Sequence, residues 1–360
     1  MFKILTVNPG STSTKIGVFE DDRCVLEKNI LFPDSERKKY ARIREQLDNR
    51  FNSISAALRE AGFSLSEFDA VSGRGGLFAG VRSGTYLINN IMIKDAEEAL
   101  RGEHASNLGC MLARKIAAFS ACPAFIVDPV SVNELTAVAK ISGAPEIERG
   151  SLVHALNQRS VARKVAAGQG KKYEECKFVV AHLGSGVTIG VHSGGRIIDV
   201  VGAKSDGPFS PERAGGLPAD KLIEFCFSGL YTKDELLVKL LSGWGFISYL
   251  GTRDLREVLK MAESDKKARL IYEAFVYQVA KGIGELATVV NGCLDAVVIT
   301  GGMAYSEKLC HDLCEKIAFI GRIEIVPGED EQAALALGAL RVLEGTEPAL
   351  RYPSDNEHNC

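Results

Sequence analysis

The sequence lacks the features that would indicate a membrane protein, a secreted disulfide scaffold or a nucleic-acid partner. No apolar run is long enough to span a bilayer, and residues 1–10 carry no apolar segment of a secretory signal. The 43 basic and 46 acidic side chains nearly cancel, and the formal net charge of −3 gives no reason to expect nucleic acid or an anionic membrane as partner. The nine cysteines are an odd number without C-x-x-C spacing, which indicates reduced thiols. We therefore expect a cytoplasmic protein.

Several catalytic signatures are also absent. The sequence has no G-x-S-x-G elbow of a serine hydrolase and no Walker A motif. No G-x-G-x-x-G joins a strand to a helix, so a dinucleotide site is not supported. What the chain has in excess is glycine, with 36 in 360 residues, clustered in turns after apolar runs. A chain of this length is too long for one ordinary core, so we expect two domains.

Three glycine-bearing turns follow apolar strands. The turn Asn8–Lys15 offers backbone amides, hydroxyl groups and one lysine, which suit a phosphate, although an ordinary Ser/Thr-rich hairpin would have the same composition. Gly184–Gly186 and Gly301-Gly302 would let a ligand approach the backbone closely. Ligands bind at the carboxyl ends of strands in open α/β sheets, so three such turns facing one cleft would fit a nucleotide.

Two of these turns resemble each other in sequence. Gly10-Ser11 and Gly184-Ser185 are each followed by an Ile-Gly-Val segment, with a one-residue difference in spacing. This pattern predicts a duplicated strand–turn–strand unit, with one copy in each half of the chain. Helical periodicity predicts helices over residues 34–60, 95–120, 151–167, 265–290, 306–317 and 331–343.

Arginine, histidine and aspartate residues next to these turns supply the remaining chemistry. Arg74 lies among glycines in Gly73–Gly76, and Arg213 lies in the polar loop 210–216. Arginine binds a carboxylate or phosphate in a bidentate fork, although a single arginine is more often part of a surface ion pair. His104, His154 and His182 lie in segments next to the proposed turns, and Asp128 ends a strand.

Taken in order, these segments resemble the acetate kinase family, whose superfamily includes sugar kinases, actin and the heat-shock ATPases. The resemblance covers essentially the whole chain and rests on residues 7–15, 72–76, 102–107, 127–129, 154, 182–186, 206–215, 254–256 and 300–304. It implies an α/β fold of two ribonuclease-H-like (actin-like ATPase) domains with a nucleotide cleft between them. We expect residues 1–150 and 331–360 in the first domain, to which the last helix returns, and residues 151–330 in the second.

The resemblance also implies the reaction, a reversible phosphoryl transfer between ATP and a short-chain carboxylate with Mg²⁺. Arg74 would bind the carboxylate, Arg213 would meet the transferring phosphoryl group and His154 would donate to its oxygens. Asp128 would be a catalytic carboxylate. The substrate would contact Arg74, Gly76, His104 and Val153. The nucleotide would contact Asn8, Ser11, Ser13, Lys15, His182, Gly184, Ser185, Gly186, Asp254, Arg256, Gly301 and Gly302. Asn8 and Glu331 would bind the metal, although the register among residues 329–331 is open.

Small residues in the substrate segments favour a longer acid. Gly75-Gly76 and Val153 stand where acetate kinases tend to have bulkier side chains, and the missing volume would accept extra methylenes. Butyrate or branched acids of four or five carbons are therefore favoured over acetate or propionate, with overlapping use of neighbouring acids.

Two other functions fit parts of the pattern. A sugar kinase would use Asp128 as a base for a hydroxyl group, but a neutral acceptor does not need two arginines. An actin-like nucleotide switch would need a polymerisation or peptide-binding insert, for which the chain has no spare segment. The low net charge and the long helix of the second domain are compatible with a homodimer or a higher homo-oligomer.

Overall fold

The computed structural model describes residues 1–202 and 206–353, which form two compact units. Unit 1 comprises Met1–Asn133 and the chain from Asp330 onward, and unit 2 comprises Glu134–Glu329. Residues 134–150, expected in the first domain, group with unit 2 because they bond to one of its strands. The amide of Thr136 donates to the carbonyl of Ile198 at 3.0 Å, and Arg149 forms an ion pair with Asp199 at 3.1 Å.

The units contain these strands, in chain order: β1 (Lys3–Pro9), β2 (Ser13–Glu20), β3 (Arg23–Leu31), β4 (Ala70–Arg74), β5 (Thr85–Leu87), β6 (Ala124–Val127), β7 (Lys177–Leu183), β8 (Val187–Ser193), β9 (Arg196–Gly202), β10 (Ala296–Gly301) and β11 (Ile323–Pro327). The α-helices are α1 (Asp34–Arg37), α2 (Leu47–Glu60), α3 (Asn90–Glu98), α4 (Leu108–Ser120), α5 (Ala137–Lys140), α6 (Ala155–Gly168), α7 (Ala219–Cys226), α8 (Lys233–Val238), α9 (Phe246–Leu250), α10 (Leu255–Ala262), α11 (Lys266–Thr288), α12 (Glu307–Ile317) and α13 (Glu331–Leu343). None of these helices combines the length and the apolar content that crossing a membrane requires.

Each unit is built on one mixed sheet, and the two sheets share a strand order. Unit 1 has the order β3-β2-β1-β4-β6-β5, and unit 2 has the order β9-β8-β7-β10-β11. In both, a hairpin is followed by parallel strands, so that β1 pairs antiparallel with β2 and parallel with β4, as β7 does with β8 and β10. The predicted duplication of a strand–turn–strand unit is confirmed.

Two predicted long helices are each broken in the structure. The region 34–60 divides into α1 and α2, because the Glu45 carboxylate accepts from the amides of Ala41 and Arg42 and starts a separate 3₁₀ turn. The region 95–120 divides into α3 and α4, because Ala99 adopts a left-handed conformation and Gly102 has a φ of +113°. The prediction of one continuous helix in either region is therefore wrong.

Helix α13 packs on one face of the sheet of unit 1. Alanines of α13 lie in a buried cluster with Ile4 of β1 and Ala70 of β4, which are paired across the sheet. The next pair on this face, Thr6 and Ser72, is polar and fully buried. Side chains alternate along a strand, so the face continues from an apolar row through a polar row to Asn8 and Arg74 at the strand ends.

Candidate active site

The ends of the central strands of unit 1 bring together three residues predicted from the sequence. The Asn8 amide Nδ2 donates to the Glu331 carboxylate at 2.6 Å, and the Arg74 guanidinium forms an ion pair with the same carboxylate. Glu331 is the first residue of α13, where a carboxylate is favoured by the helix dipole. The Arg74 and Glu331 side chains are 20% and 15% exposed. The predicted metal ligands therefore lie beside the arginine that is predicted to bind the carboxylate.

The turn Asn8–Lys15 is a tight hairpin. Asn8 pairs with Lys15 across β1 and β2, and the Gly10 amide donates to the Ser13 carbonyl at 2.8 Å. Lys15 and Ser11 are exposed and Ser13 is half-buried. Because directly opposed residues share a face, Lys15 lies on the same face as Asn8. The segment that the sequence suggests as a phosphate-binding turn is therefore the turn of the β1–β2 hairpin.

The sequence did not indicate that Arg50 forms hydrogen bonds to this hairpin. Arg50 of α2 is 2% exposed, and its guanidinium donates to the Thr14 hydroxyl at 2.9 Å and to the Ser13 carbonyl at 3.2 Å. The same group lies 4.2 Å from the centre of the Phe32 ring, and burial lowers the pKa of Arg50 to about 10. In the sequence, Arg50 is one of many basic residues in a helix, so no local signal marks it.

The glycines after Arg74 do not leave the predicted space. A Cβ on Gly75 would overlap Pro129, and a Cβ on Gly76 would overlap Asn107. Asn107 is fixed there, because its Oδ1 accepts from the Leu77 amide at 2.9 Å. The expectation that Gly75-Gly76 opens a pocket at these two positions is wrong, because other segments of unit 1 fill the volume.

His104 and Asp128 have defined local roles in unit 1. His104 begins the 3₁₀ turn before α4, and its Nδ1 accepts from the Ser106 amide at 3.2 Å. Asp128 follows β6 with a φ of +38° and its Oδ1 accepts from the Gly84 amide at 2.7 Å. A positive φ is uncommon outside glycine and is held here by this bond and by the bond from the Asp128 amide to the Gly84 carbonyl. Their proposed contacts with substrate stay predictions.

In unit 2, two of the predicted histidines stack on each other. His154 lies at the start of α6 and His182 lies near the end of β7, with ring centres 4.0 Å apart and planes at 16°. His182 Nδ1 bonds to Asn157 Oδ1 at 2.8 Å, and its Nε2 lies 3.0 Å from Glu329 Oε1. Both nitrogens of His182 are therefore fixed by side chains that sequence reasoning did not single out.

The Arg213 loop closes on the turn Gly184–Gly186. A Cβ on Gly186 would overlap the Arg213 guanidinium, so the missing side chain provides the space for it. The Ser210 hydroxyl donates to the Ser185 carbonyl at 2.7 Å and accepts from the Arg213 amide at 3.1 Å. Burial lowers the pKa of Arg213, and the charge of Glu212 opposes this shift. The structure thus brings together Arg213, Ser185 and Gly186, and their proposed contacts with phosphate and nucleotide stay predictions.

The remaining predicted residues of unit 2 lie in separate parts of the unit. Gly301 has a φ of +93° at the end of β10, packs against the Leu183 carbonyl and exchanges backbone bonds with Gly328, while Gly302 follows in open space. Val153 is buried. Asp254 and Arg256 instead bond to each other at the start of α10, where the hydrogen bonds from Arg256 lower the pKa of Asp254. Their nucleotide contact stays a prediction.

Behind the histidine pair, His192 is buried without charge. Burial, and then the charge of Arg159, lower the pKa of His192 to about 3 from 6.5. Between these values the unfolded chain binds a proton that the folded chain does not, so stability is lost as the pH falls from 6.5 towards 3. We expect His192 to contribute about 1.4 kcal/mol of this loss per pH unit.

Urea unfolding of the wild type and of His192→Gln, between pH 7 and about pH 5, measures this contribution. The variant cannot titrate at this position, so its unfolding free energy should fall less steeply with decreasing pH. Equal slopes in the two proteins would show that His192 takes up its proton without unfolding.

The chain has the fold of two solved carboxylate kinases. The structure is similar to an acetate kinase from Porphyromonas gingivalis, with a TM-score of 0.79 at 18% identity over 95% of this chain and 100% of that one. It is also similar to a propionate kinase from Francisella tularensis, with a TM-score of 0.76 at 19% identity over 94% and 99% of the two chains. These likenesses show the fold and confirm the predicted fold class.

Sequence similarity gives the family. The acetokinase family model matches residues 149–333. Over 354 residues, the chain is 47% identical to butyrate kinase 1 of Clostridium acetobutylicum, covering 98% of this chain and 100% of the relative. The chain therefore belongs to the acetokinase family and is a phosphotransferase of the carboxylate kinase class, as the ordered motifs predict.

Proposed function

We propose that this protein is an ATP-dependent butyrate kinase that converts butyrate and ATP reversibly to butyryl phosphate and ADP. The observation that carries the proposal is the 47% identity to a butyrate kinase over nearly the whole chain. Since a hydrophobic pocket separates acids that differ by one methylene only about 10- to 200-fold, isobutyrate, isovalerate, propionate and acetate are weaker alternative substrates.

The proposed chemistry needs cations more than a base. A carboxylate is already ionised at neutral pH, and phosphoryl transfer through a loose transition state depends on positioning and on neutralisation of charge. Arg74 would hold the carboxylate in a bidentate fork. Arg213 and His154 would donate to the oxygens of the transferring group, where preorganised donors act most strongly. Asp128, held by Gly84, would be the catalytic carboxylate.

The oxygen atoms of Asn8 and Glu331 in unit 1 are suitable ligands for a magnesium ion. Mg²⁺ prefers oxygen ligands and usually takes one or two carboxylates together with phosphate oxygens and water. The Asn8 amide and the Glu331 carboxylate are held together at 2.6 Å and would supply such oxygens. A bound Mg²⁺ would neutralise charge on the nucleotide phosphates. The hairpin hydroxyls of Ser11 and Ser13 and the Lys15 ammonium would bind phosphate, and the turns at Gly184–Gly186 and Gly301-Gly302 would bind the rest of the nucleotide.

A hydroxylamine-trapping assay with Mg-ATP tests the proposal. Acetate, propionate, butyrate, isobutyrate and valerate are compared, and glucose-dependent ADP release serves as the control for a sugar kinase. We expect acyl hydroxamate formation to be highest with a four-carbon acid. The matched control is His154→Gln, which should make little hydroxamate while melting like the wild type.

The outcomes of this assay test the class of reaction and the identity of the substrate separately. A maximum with acetate would keep the carboxylate kinase and reject butyrate as its substrate. ADP release with glucose and no hydroxamate from any acid would indicate a sugar kinase. Filament formation on addition of ATP, with neither product, would indicate a nucleotide switch.

We also propose a cytoplasmic homo-oligomer. The cysteines of the described residues are free thiols, which supports a reducing compartment. Ile223, Phe227 and Leu230 expose apolar side chains around the end of α7 in unit 2, which supports association between copies. Light scattering of the purified protein tests the second point, because a monomer at every concentration would reject it.

A further inference from the structure

A line of hydrogen-bonded side chains leads from the interior of unit 2 to His154. The Tyr173 hydroxyl lies 2.7 Å from His192 Nδ1, and His192 Nε2 lies 3.2 Å from Gln158 Oε1. Gln158 Nε2 lies 3.0 Å from Thr188 Oγ1, which lies 2.8 Å from His154 Nδ1. The first four of these residues are buried. We infer that this hydrogen-bond relay fixes the neutral tautomer of His154 with its proton on Nε2, and that Thr188 and Gln158 are positioning residues for the phosphoryl transfer proposed above.

The orientation of the Gln158 side-chain amide determines which atom donates in each hydrogen bond of the relay. Its Nε2 also lies 3.1 Å from the backbone carbonyl of Thr188. A carbonyl oxygen can only accept, so the atom that faces it must be the amide nitrogen. The amide oxygen of Gln158 therefore faces His192 Nε2 and requires a proton on that nitrogen.

His192 and Tyr173 form the inner part of the relay. His192 is fully buried, and its lowered pKa keeps it neutral, so it carries a single ring proton. With this proton on Nε2, Nδ1 of His192 is an acceptor and receives the hydroxyl proton of Tyr173. Tyr173 thus closes the inner end of the relay with a donor.

At the outer end of the relay, the Thr188 hydroxyl accepts from Gln158 and donates to His154. Its Oγ1 accepts one proton from Gln158 Nε2 and a second from the His154 backbone amide at 3.5 Å. A hydroxyl oxygen has two lone pairs, so its own proton remains for His154 Nδ1 at 2.8 Å. His154 Nδ1 is then an acceptor, and the ring proton lies on Nε2.

Local sequence periodicity places these groups side by side. His154 and Gln158 are four residues apart at the start of α6 and share a face of the helix. Thr188, Gly190 and His192 alternate along β8 and share a face of the strand. A Cβ on Gly190 would lie 2.7 Å from Gln158 Oε1, so the glycine provides the space for the amide.

The tautomer decides whether His154 can assist the reaction. Phosphoryl oxygens only accept hydrogen bonds, so a histidine that contacts them with Nε2 must carry its proton there. The other neutral tautomer would present a lone pair to an anion. With its proton on Nε2 and its Nδ1 accepting from Thr188, His154 donates to the phosphoryl oxygens as a neutral imidazole.

Nitrogen NMR of the whole protein, labelled with ¹⁵N-histidine and without ligands, tests the assignment. The sequence has six histidines, and single His→Gln variants assign their signals. We expect a protonated Nε2 and an unprotonated Nδ1 in both His154 and His192. A protonated Nδ1 in His154 of the wild type would overturn the inference, whether or not the protein has kinase activity.

Substitutions at Thr188 test the positioning role. Thr188→Val removes the hydroxyl at nearly constant shape and should give a mixture of His154 tautomers and a roughly 10- to 100-fold lower kcat. The KM for ATP should stay near the wild-type value, and Thr188→Ser should restore both the tautomer and kcat. A Thr188→Val protein with the wild-type tautomer and kcat would contradict the relay.

The matched control is Thr85→Val in unit 1. Thr85 is also a buried strand threonine, and its hydroxyl donates to the Gly338 carbonyl at 3.0 Å. The Thr85→Val variant should lose a comparable hydrogen bond without changing the His154 signals. If Thr188→Val does not fold, the wild-type spectrum and Thr188→Ser still decide the question. If the proposed function fails instead, no variant forms hydroxamate and the spectra remain as expected.

Discussion

Arg74→Ala is expected to lower kcat/KM for the carboxylate by about 10²- to 10³-fold. The Arg74 guanidinium neutralises the Glu331 carboxylate in the structure, and by proposal it binds the carboxylate of the substrate. Without it, the substrate carboxylate would lose the cation that binds it, and the partly buried Glu331 carboxylate would lose its ion-pair partner. Arg74→Lys should give an intermediate loss, because the charge remains but the fork is lost.

Steady-state kinetics with varied carboxylate and varied ATP measure this effect. The matched control is Arg101→Ala in the same unit, where Arg101 pairs with Asp95 at 3.1 Å and is 45% exposed. Exposed ion pairs contribute about 0–1 kcal/mol, so this variant should keep its activity. Wild-type kcat/KM in Arg74→Ala, with melting unchanged, would remove Arg74 from the substrate site.

Gly109→Ala is expected to destabilise unit 1 and to abolish most of the activity. Gly109 of α4 lies against the backbone of β4, and a Cβ there would overlap the Arg74 carbonyl. Gly73 meets the Gly109 carbonyl in the same way, so helix and strand touch through their backbones at the residue before Arg74. Overpacking of this kind costs about 1–3 kcal/mol and shifts the backbone. The Arg74 guanidinium would move with it.

Denaturant unfolding and the hydroxamate assay measure the two effects together. Gly284→Ala in α11 is the matched control, because a Cβ there meets nothing within 4 Å. A helical glycine replaced by alanine without a clash should raise the unfolding free energy by about 0.5–1 kcal/mol. A Gly109→Ala protein as stable and active as Gly284→Ala would show that α4 and β4 can separate without consequence.

Strong periodicity with a cap allowed some elements to be predicted closely. Helix α13 has the predicted bounds, with Asp330 capping its start, and α12 begins one residue after its predicted start because Ser306 is its cap. Strand β3 was not predicted. Its residues are largely half-buried or exposed, so its conformation depends on pairing with β2 rather than on its own hydrophobic pattern.

The order of the motifs allowed the candidate site to be predicted in outline. The residues that support it were missed because their contacts join distant segments. Arg50 lies under a hairpin almost forty residues earlier, Glu329 meets His182 across unit 2, and Asn107 fills the space beside Gly76. No local pattern marks such residues, because their roles follow from sheet pairing and helix packing. The wrong pocket argument at Gly75-Gly76 has the same cause.

The successive rows of β1 and β4 also limit how this region can change during evolution. Ile4 and Ala70, then Thr6 and Ser72, then Asn8 and Arg74 lead along one face from the core to the strand ends. A substitution in the last row leaves the first row packed, so it should affect the proposed site more than the packing of the core. Inserting or deleting one residue in β1 would instead turn every later side chain to the opposite face. Lineages of this enzyme should therefore keep the lengths of both strands.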